Sequence, residues 1–248
     1  MHSILQFAVF LITFVSIYGL MQFYVLARLA GLFSYNRGVL FYLLLALAAL
    51  SFVGSRVLIG HVSNIVTKSI YTASAVWMGV SFLLFSTLLV YEIVRLFIKI
   101  KPSSAGLGIC VIVGLLAVYA VINAQFIHIK TVSITSSKIR EDVRIVQLSD
   151  IHFGSIHTND LLERIVAKTQ TLNPDIVCIT GDLIDKHHNN DNVLISFNQL
   201  KVPVLFVTGN HENYIGKDHV KGLLKKTNIQ FLQNQMYEYN GVHIIGIN

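Results

Sequence analysis

Three short polar strings carry the chemistry of this chain: Asp150-Ile151-His152, Gly181-Asp182 and Gly209-Asn210-His211-Glu212. Each follows a run of apolar, mostly β-branched residues, so each falls where a buried strand gives way to a loop. A carboxylate oxygen and an imidazole nitrogen two residues apart suit a borderline divalent ion such as Mn, Fe or Zn. On extended chain Asp150 and His152 point the same way. Asp-x-His and Gly-Asp are not distinctive alone, since a surface Asp, a satisfied core His or an ordinary turn gives the same letters. The third string says more: Gly209 lets the chain turn tightly before an amide, an imidazole and a carboxylate. Asp150, Asp182 and Asn210 are separated by 32 and then 28 residues, each after its own apolar run. That recurrence points to one metal site assembled at strand ends.

The elements that must position these groups alternate in type from Ile127 onward. Ile127–Ile134 and Val143–Leu148 are expected strands. Thr158 or Asn159 caps a helix with Leu161, Leu162, Ile165 and Val166 on one face. Pro174 precedes a strand at Ile176–Thr180, and Val193–Leu200 is a short helix. Pro203 opens the strand Val204–Thr208, a basic helix covers Asp218–Lys226, and Ile229–Leu232 is a short strand. Asn240-Gly241 is a strong hairpin signal joining Gln235–Tyr239 to Val242–Ile247. Strand, helix, strand, helix makes an α/β layered domain, whose ligands gather at the carboxyl ends of the strands.

The first half of the chain is of another kind. Of 248 residues, 54% are apolar and 13% charged, about half the charge of a typical soluble domain. The formal charge of +6 arises wholly in residues 1–126, where Arg28, Arg37, Arg56, Lys68, Arg95, Lys99 and Lys101 face one acid, Glu92. The remainder is neutral, so the high pI gives no reason to expect nucleic-acid binding. Four apolar stretches, Ile4–Ala27, Val39–Leu58, Ile70–Phe97 and Gly106–Phe126, each reach the roughly 20 residues that span a bilayer. The expected domains are therefore a four-helix transmembrane region at 1–126 and a second domain at 127–248. The lipid bilayer is an expected partner of the first.

Lysine and arginine are more frequent in the first and third connections than at the other side, which assigns residues 127–248 to the extracytoplasmic face of a multi-pass cell-membrane protein. Glu92 and Arg95 are spaced for a local pair at a span end, and His61 falls in a connecting loop. Cys110 and Cys178 lie in apolar stretches and are expected to be small buried residues, not a disulfide or a zinc cluster.

The wording around the three strings closely resembles the calcineurin-like metallophosphoesterases. The resemblance rests on Val143 through Gly154, Pro174 through Leu183 and Gly209-Asn210-His211-Glu212, and it covers roughly 127–248. By layout the chain resembles the branch in which transmembrane helices precede the enzyme domain. The resemblance implies a layered α-β-β-α sandwich and two divalent metal ions. It implies Asp150 and His152 on the first metal, Asp182 bridging both, and Asn210 on the second. His211 would serve as general acid or donor to the scissile phosphate. Glu212 either orients His211 or is a solvated carboxylate.

The family's later blocks, a single His and a Gly-His-x-His, are not in this sequence. His243 lies inside the hairpin, His128 on the first expected strand, and His157, His187, His188 and His219 in loops or at a helix. The expectation is thus a C-terminally truncated chain with an incomplete sandwich, itself inactive or nearly so. In the intact protein the expected function is membrane-anchored hydrolysis of phosphodiester, phosphomonoester or pyrophosphate bonds. The expected substrate is phosphorylated; membrane anchoring makes a lipid-linked phosphodiester or pyrophosphate one reading, with nucleotides and cell-wall phosphates left open. The alternative is a non-catalytic membrane sensor or scaffold with a degenerate phosphoesterase-like binding domain.

Overall fold

The computed structural model describes residues 2–62, 64–139, 141–154, 159–185 and 192–247. The chain divides into two compact units, residues 1–127 and 128–248.

The first unit is built from four long helices: α1 (His2–Leu32), α2 (Val39–His61), α3 (Ile65–Val94) and α4 (Pro102–Asn123). Each contains a stretch long and apolar enough to cross a membrane. Most large apolar side chains on their outer faces are exposed, Phe10, Leu20, Leu43 and Leu115 among them, as a lipid solvent allows. Asn64 starts α3 with a reciprocal capping box, its side chain accepting from Thr67 N–H while the Thr67 hydroxyl accepts from Asn64 N–H, which satisfies two otherwise orphaned donors.

Side-chain contacts set the helix directions. Tyr24 meets Phe85 edge-on at 5.5 Å, and Arg28 pairs with Glu92, so α1 and α3 run alongside in the same sense. Ser55 on α2 shares a hydrogen bond with Ser74 on α3. A Cβ on Gly106 would lie 2.9 Å from the Phe33 ring, so α4 begins where α1 ends. The bundle is therefore up-down-up-down.

Three details differ from the sequence reading. His61 closes α2, with Nδ1 at 3.0 Å from the Val57 carbonyl, and is not in a loop. Glu92 is shared between Arg95 and Arg28 of α1, a partner 64 residues away that helical spacing cannot reveal. Cys110 is exposed on the outside of α4, while Cys178 is half-buried; both thiols are free.

The second unit begins with no strand at 127–134. Ile129, Val132 and Ile134 are exposed there. Alternation alone is insufficient, because a strand also needs a neighbour for its main-chain hydrogen bonds. The parallel sheet comprises β1 (Ile145–Leu148), β2 (Ile176–Ile179), β3 (Val204–Phe206) and β4 (Ile229–Phe231), in the order β1-β2-β3-β4.

The connections are α5 (Asn159–Thr171), a 3-10 turn at Ile195–Gln199, then α6 (Asn210–Ile215) and α7 (Lys217–Leu224). The short helix expected at Val193–Leu200 is thus a turn followed by 3-10 geometry. Of the two caps proposed for α5, Thr158 lies outside the described residues, as do His157, His187 and His188. Sequential strands stepping one way with crossovers of one hand carry every helix to one face. Accordingly Leu162, Val166, Phe197, Val220 and Leu223 pack with Val177, Ile179, Val204 and Phe206.

The opposite face, Ile176, Cys178, Leu205 and Val207, receives the hairpin β5 (Gln235–Tyr239) and β6 (Val242–Gly246) through Tyr237, Tyr239 and Ile244. Its turn uses left-handed backbone at Asn240 and Gly241 (φ 47° and 78°), as the Asn-Gly signal predicts. Helices, parallel sheet and hairpin thus form three successive layers. This α/β architecture after four apolar helices is the fold class expected from the sequence.

Candidate metal centre

The site gathers at the carboxyl ends of β1, β2 and β3. Past Leu148 and Ile179 the first two strands cease as ladders, yet their loops stay bound to each other. Asp150 N–H donates to Gly181 C=O (3.2 Å), His152 N–H to Asp182 C=O (2.9 Å) and Phe153 N–H to Leu183 C=O (2.8 Å), while Asp185 N–H returns to Phe153 C=O (2.9 Å). Main-chain bonding therefore fixes the first string against the second.

This zipper requires unusual backbone. Asp150, His152 and Asp182 all have positive φ, at 55°, 50° and 51°. Asp and His both tolerate the left-handed region better than most residues, though at some cost. The extended-chain argument for Asp150 and His152 is corrected here, since neither residue is extended. They still converge, with His152 Nε2 3.8 Å from Asp150 Oδ1 and 3.8 Å from Asp182 Oδ2.

The third string is held to the second by close glycine contact and one buried carboxylate. A Cβ on Gly181 (φ 99°) would stand 2.7 Å from Gly209 N, and a Cβ on Gly209 would stand 2.6 Å from Asp182 N. Both positions therefore exclude side chains. Glu212 is fully buried. Its Oε1 accepts from Leu183 N–H (2.7 Å) and Ile184 N–H (3.0 Å), and its Oε2 from Asp182 N–H (3.0 Å) and Gly209 N–H (2.8 Å). Neither role expected of Glu212 holds: it is not solvated, and its carboxylate binds main chain, not the His211 ring. Asp182 Oδ1 in turn accepts from His211 N–H at 3.0 Å.

His152, Asp182 and His211 each offer a ligand atom within 4.8 Å of the others. The two imidazole rings meet edge to face, 4.6 Å between centroids. Asp150 borders this group but is more exposed, with 66% of its side-chain surface accessible. Asn210 is exposed at the first position of α6, next to His211.

One further residue belongs here and was not singled out from sequence. Asp185 Oδ1 lies 2.7 Å from His152 Nδ1 and 2.9 Å from His211 Nδ1. It holds both rings by their δ nitrogens and turns their ε nitrogens away from itself. A signal for it existed: a carboxylate three residues after Asp182, in the loop that continues a strand end.

The charge balance favours a cation. Burial pushes the His152 pKa down, but the Asp185 hydrogen bond and the charges of Asp185, Asp182 and Asp150 outweigh it, and the net shift is upward. An imidazole pKa raised by surrounding carboxylates is what a site with excess negative charge produces. Carboxylate oxygens and imidazole nitrogens, with a half-buried carboxylate at Asp185 and a buried one at Asp182, fit a borderline divalent metal.

Residues 143–245 match the model of the calcineurin-like phosphoesterases. An uncharacterized metallophosphoesterase of Campylobacter jejuni is 31% identical over 143 residues, covering 55% of this chain and 38% of that protein. One of Aquifex aeolicus is 27% identical over 136 residues, covering 53% and 52%. A transmembrane protein with metallophosphoesterase domain from Danio rerio is 37% identical over 134 residues, covering 50% and 30%. The chain thus spans between 30% and 52% of the length of these three relatives. No solved structure matches it significantly.

Proposed function

Residues 143–245 are a calcineurin-like metallophosphoesterase domain, and from that premise we propose that the intact protein is a membrane-anchored hydrolase of phosphate esters using two divalent ions. The observation that carries this reading is the convergence of Asp150, His152, Asp182 and His211 on one strand-end pocket with excess negative charge.

Asp150 and His152 would hold one ion, Asp182 would bridge, and Asn210 would contribute to the second. Such a pair supplies charge neutralisation on phosphate oxygens and a water of lowered pKa. The chain's own groups do the rest. Asp185 fixes His211 through Nδ1, leaving Nε2 to meet the phosphate and to hand a proton to the leaving oxygen. The main-chain hydrogen bond to Asp182 Oδ1 keeps the His211 backbone in place while the ring works. Glu212 prevents the second and third strings from drifting apart by accepting four main-chain donors.

The membrane bundle supports a substrate drawn from the bilayer, a lipid-linked phosphodiester or pyrophosphate. The same helices support placing the domain outside the cytoplasm. Arg28, Arg37, Arg95, Lys99 and Lys101 gather at the end of the bundle opposite to the one where α4 finishes, and basic connections stay cytoplasmic.

The test is Mn²⁺ binding to the detergent-solubilised chain by electron paramagnetic resonance, together with cleavage of bis(p-nitrophenyl) phosphate by the intact protein. Saturable binding and metal-dependent cleavage, both lost in Asp182→Asn, are expected. Cleavage that survives Asp182→Asn overturns the two-metal mechanism. Saturable Mn²⁺ binding with no turnover of any phosphodiester, phosphomonoester or pyrophosphate by the intact protein overturns the hydrolase.

A further inference from the structure

One end of the helical bundle carries more cation than it can neutralise within itself. Glu92, the one acid in residues 1–126, is approached by two guanidiniums, Arg28 and Arg95, each nearest through Nε, the latter at 2.6 Å. Side-chain exposures are 26% for Arg28, 25% for Glu92 and 49% for Arg95. Arg28 also lies over the Tyr91 ring, 5.6 Å from its centroid. Arg37 stands beside them, its Nη2 donating to the Ala27 carbonyl at 2.9 Å.

Two guanidiniums share one carboxylate at the margin of a membrane-spanning bundle, and a third, Arg37, has only a main-chain carbonyl. Partly desolvated like charges repel strongly unless an anion joins them. Approach through Nε uses one edge of a guanidinium and leaves the paired Nη donors, whose fork matches phosphate oxygens. At this depth the abundant anion is a lipid headgroup. Exposed Tyr35 and Phe97 near the same end are placed to sit among headgroups.

We propose that Arg28 and Arg95, with Arg37 beside them, form a binding site for the phosphate of an anionic phospholipid. The site lies in the bundle, is built from other residues than the metal centre, and stands whether or not the phosphoesterase assignment does. Lys99 and Lys101, exposed in the α3–α4 connection, add diffuse attraction without a fixed geometry.

The experiment uses the full chain in nanodiscs of phosphatidylcholine with one fifth phosphatidylglycerol, followed by detergent release and native mass spectrometry of retained lipid. Preferential retention of phosphatidylglycerol is expected, falling about fivefold with Arg28→Gln or Arg95→Gln. The Lys99→Gln/Lys101→Gln double variant should change retention less than either arginine variant. Equal retention of the two lipids overturns the proposal. So does an equal loss in the lysine double variant, which would mean charge without a site. Displacement of the lipid by millimolar inorganic phosphate reassigns the site to a soluble anion and overturns the lipid. Should Arg28→Gln fail to fold, the more exposed Arg95→Gln carries the same reading.

Discussion

The two units solve opposite electrostatic problems. In the membrane bundle, one carboxylate serves two guanidiniums while a third, Arg37, is held only by the Ala27 carbonyl, and the excess is positive. In the phosphoesterase domain, Asp150, Asp182 and Asp185 surround two imidazoles, and the excess is negative. Neither cluster is balanced by its own residues. Glu212 shows what balance looks like in the same molecule: a carboxylate fully buried without any cation, held by four main-chain donors. Unbalanced clusters mark where a ligand of the missing charge is needed; a balanced one marks architecture.

That contrast can be broken in order of expected effect. Asp182→Asn removes charge from the centre of the acidic cluster. Mn²⁺ affinity should fall by more than about 100-fold, beyond the 10–100-fold that loss of an outer partner costs, as read by titration of the paramagnetic signal. A smaller loss would mean that the negative excess is not a metal site.

Glu212→Gln should act on stability instead. One oxygen becomes an amide that faces N–H donors, at a cost of about 3 kcal/mol. Urea unfolding of the full chain, monitored by amide exchange at Leu183 and Ile184, measures it. A neutral substitution would refute the clamp.

Asp185→Asn keeps an oxygen facing both imidazoles but removes the charge that holds them. Mn²⁺ affinity should fall about tenfold, and phosphodiester cleavage by the intact protein should lose rate more than affinity for substrate. If both stay unchanged, Asp185 is not the positioning residue described here. Smallest is Glu92→Gln in the bundle. Ion pairs still partly open to solvent contribute about 1 kcal/mol, so thermal stability in phosphatidylcholine should fall by about that much. Anionic lipid should restore it. A larger loss that lipid does not reverse would make Glu92 a structural counter-ion.

How much of this was legible in the sequence depended on range. The hairpin was read to its turn because Asn240-Gly241 encodes left-handed backbone locally. The strands ending before Asp150, Asp182 and Asn210 were read from apolar runs, each observed one or two residues shorter at an end. What failed was what needed a partner from elsewhere. Ile127–Ile134 alternates like a strand, but no neighbour pairs with it among the described residues. Asp185 and the Arg28–Glu92 pair depend on loops and helices meeting 26 and 64 residues away, which no spacing rule reaches. The positive φ of His152 goes with main-chain bonding to Asp182, a partner that lies outside the local string.

The Glu212 cradle has one more consequence. Convergent main-chain amides form an anion-binding concavity, a common place for a protein to lodge a phosphate. Here the concavity of Asp182, Leu183, Ile184 and Gly209 already holds an anion, and that anion is covalently part of the chain. An incoming phosphate cannot use those amides without evicting a buried side chain. Its recognition is therefore left to cations and to the His211 ring, so phosphate affinity should fall steeply when metal is removed.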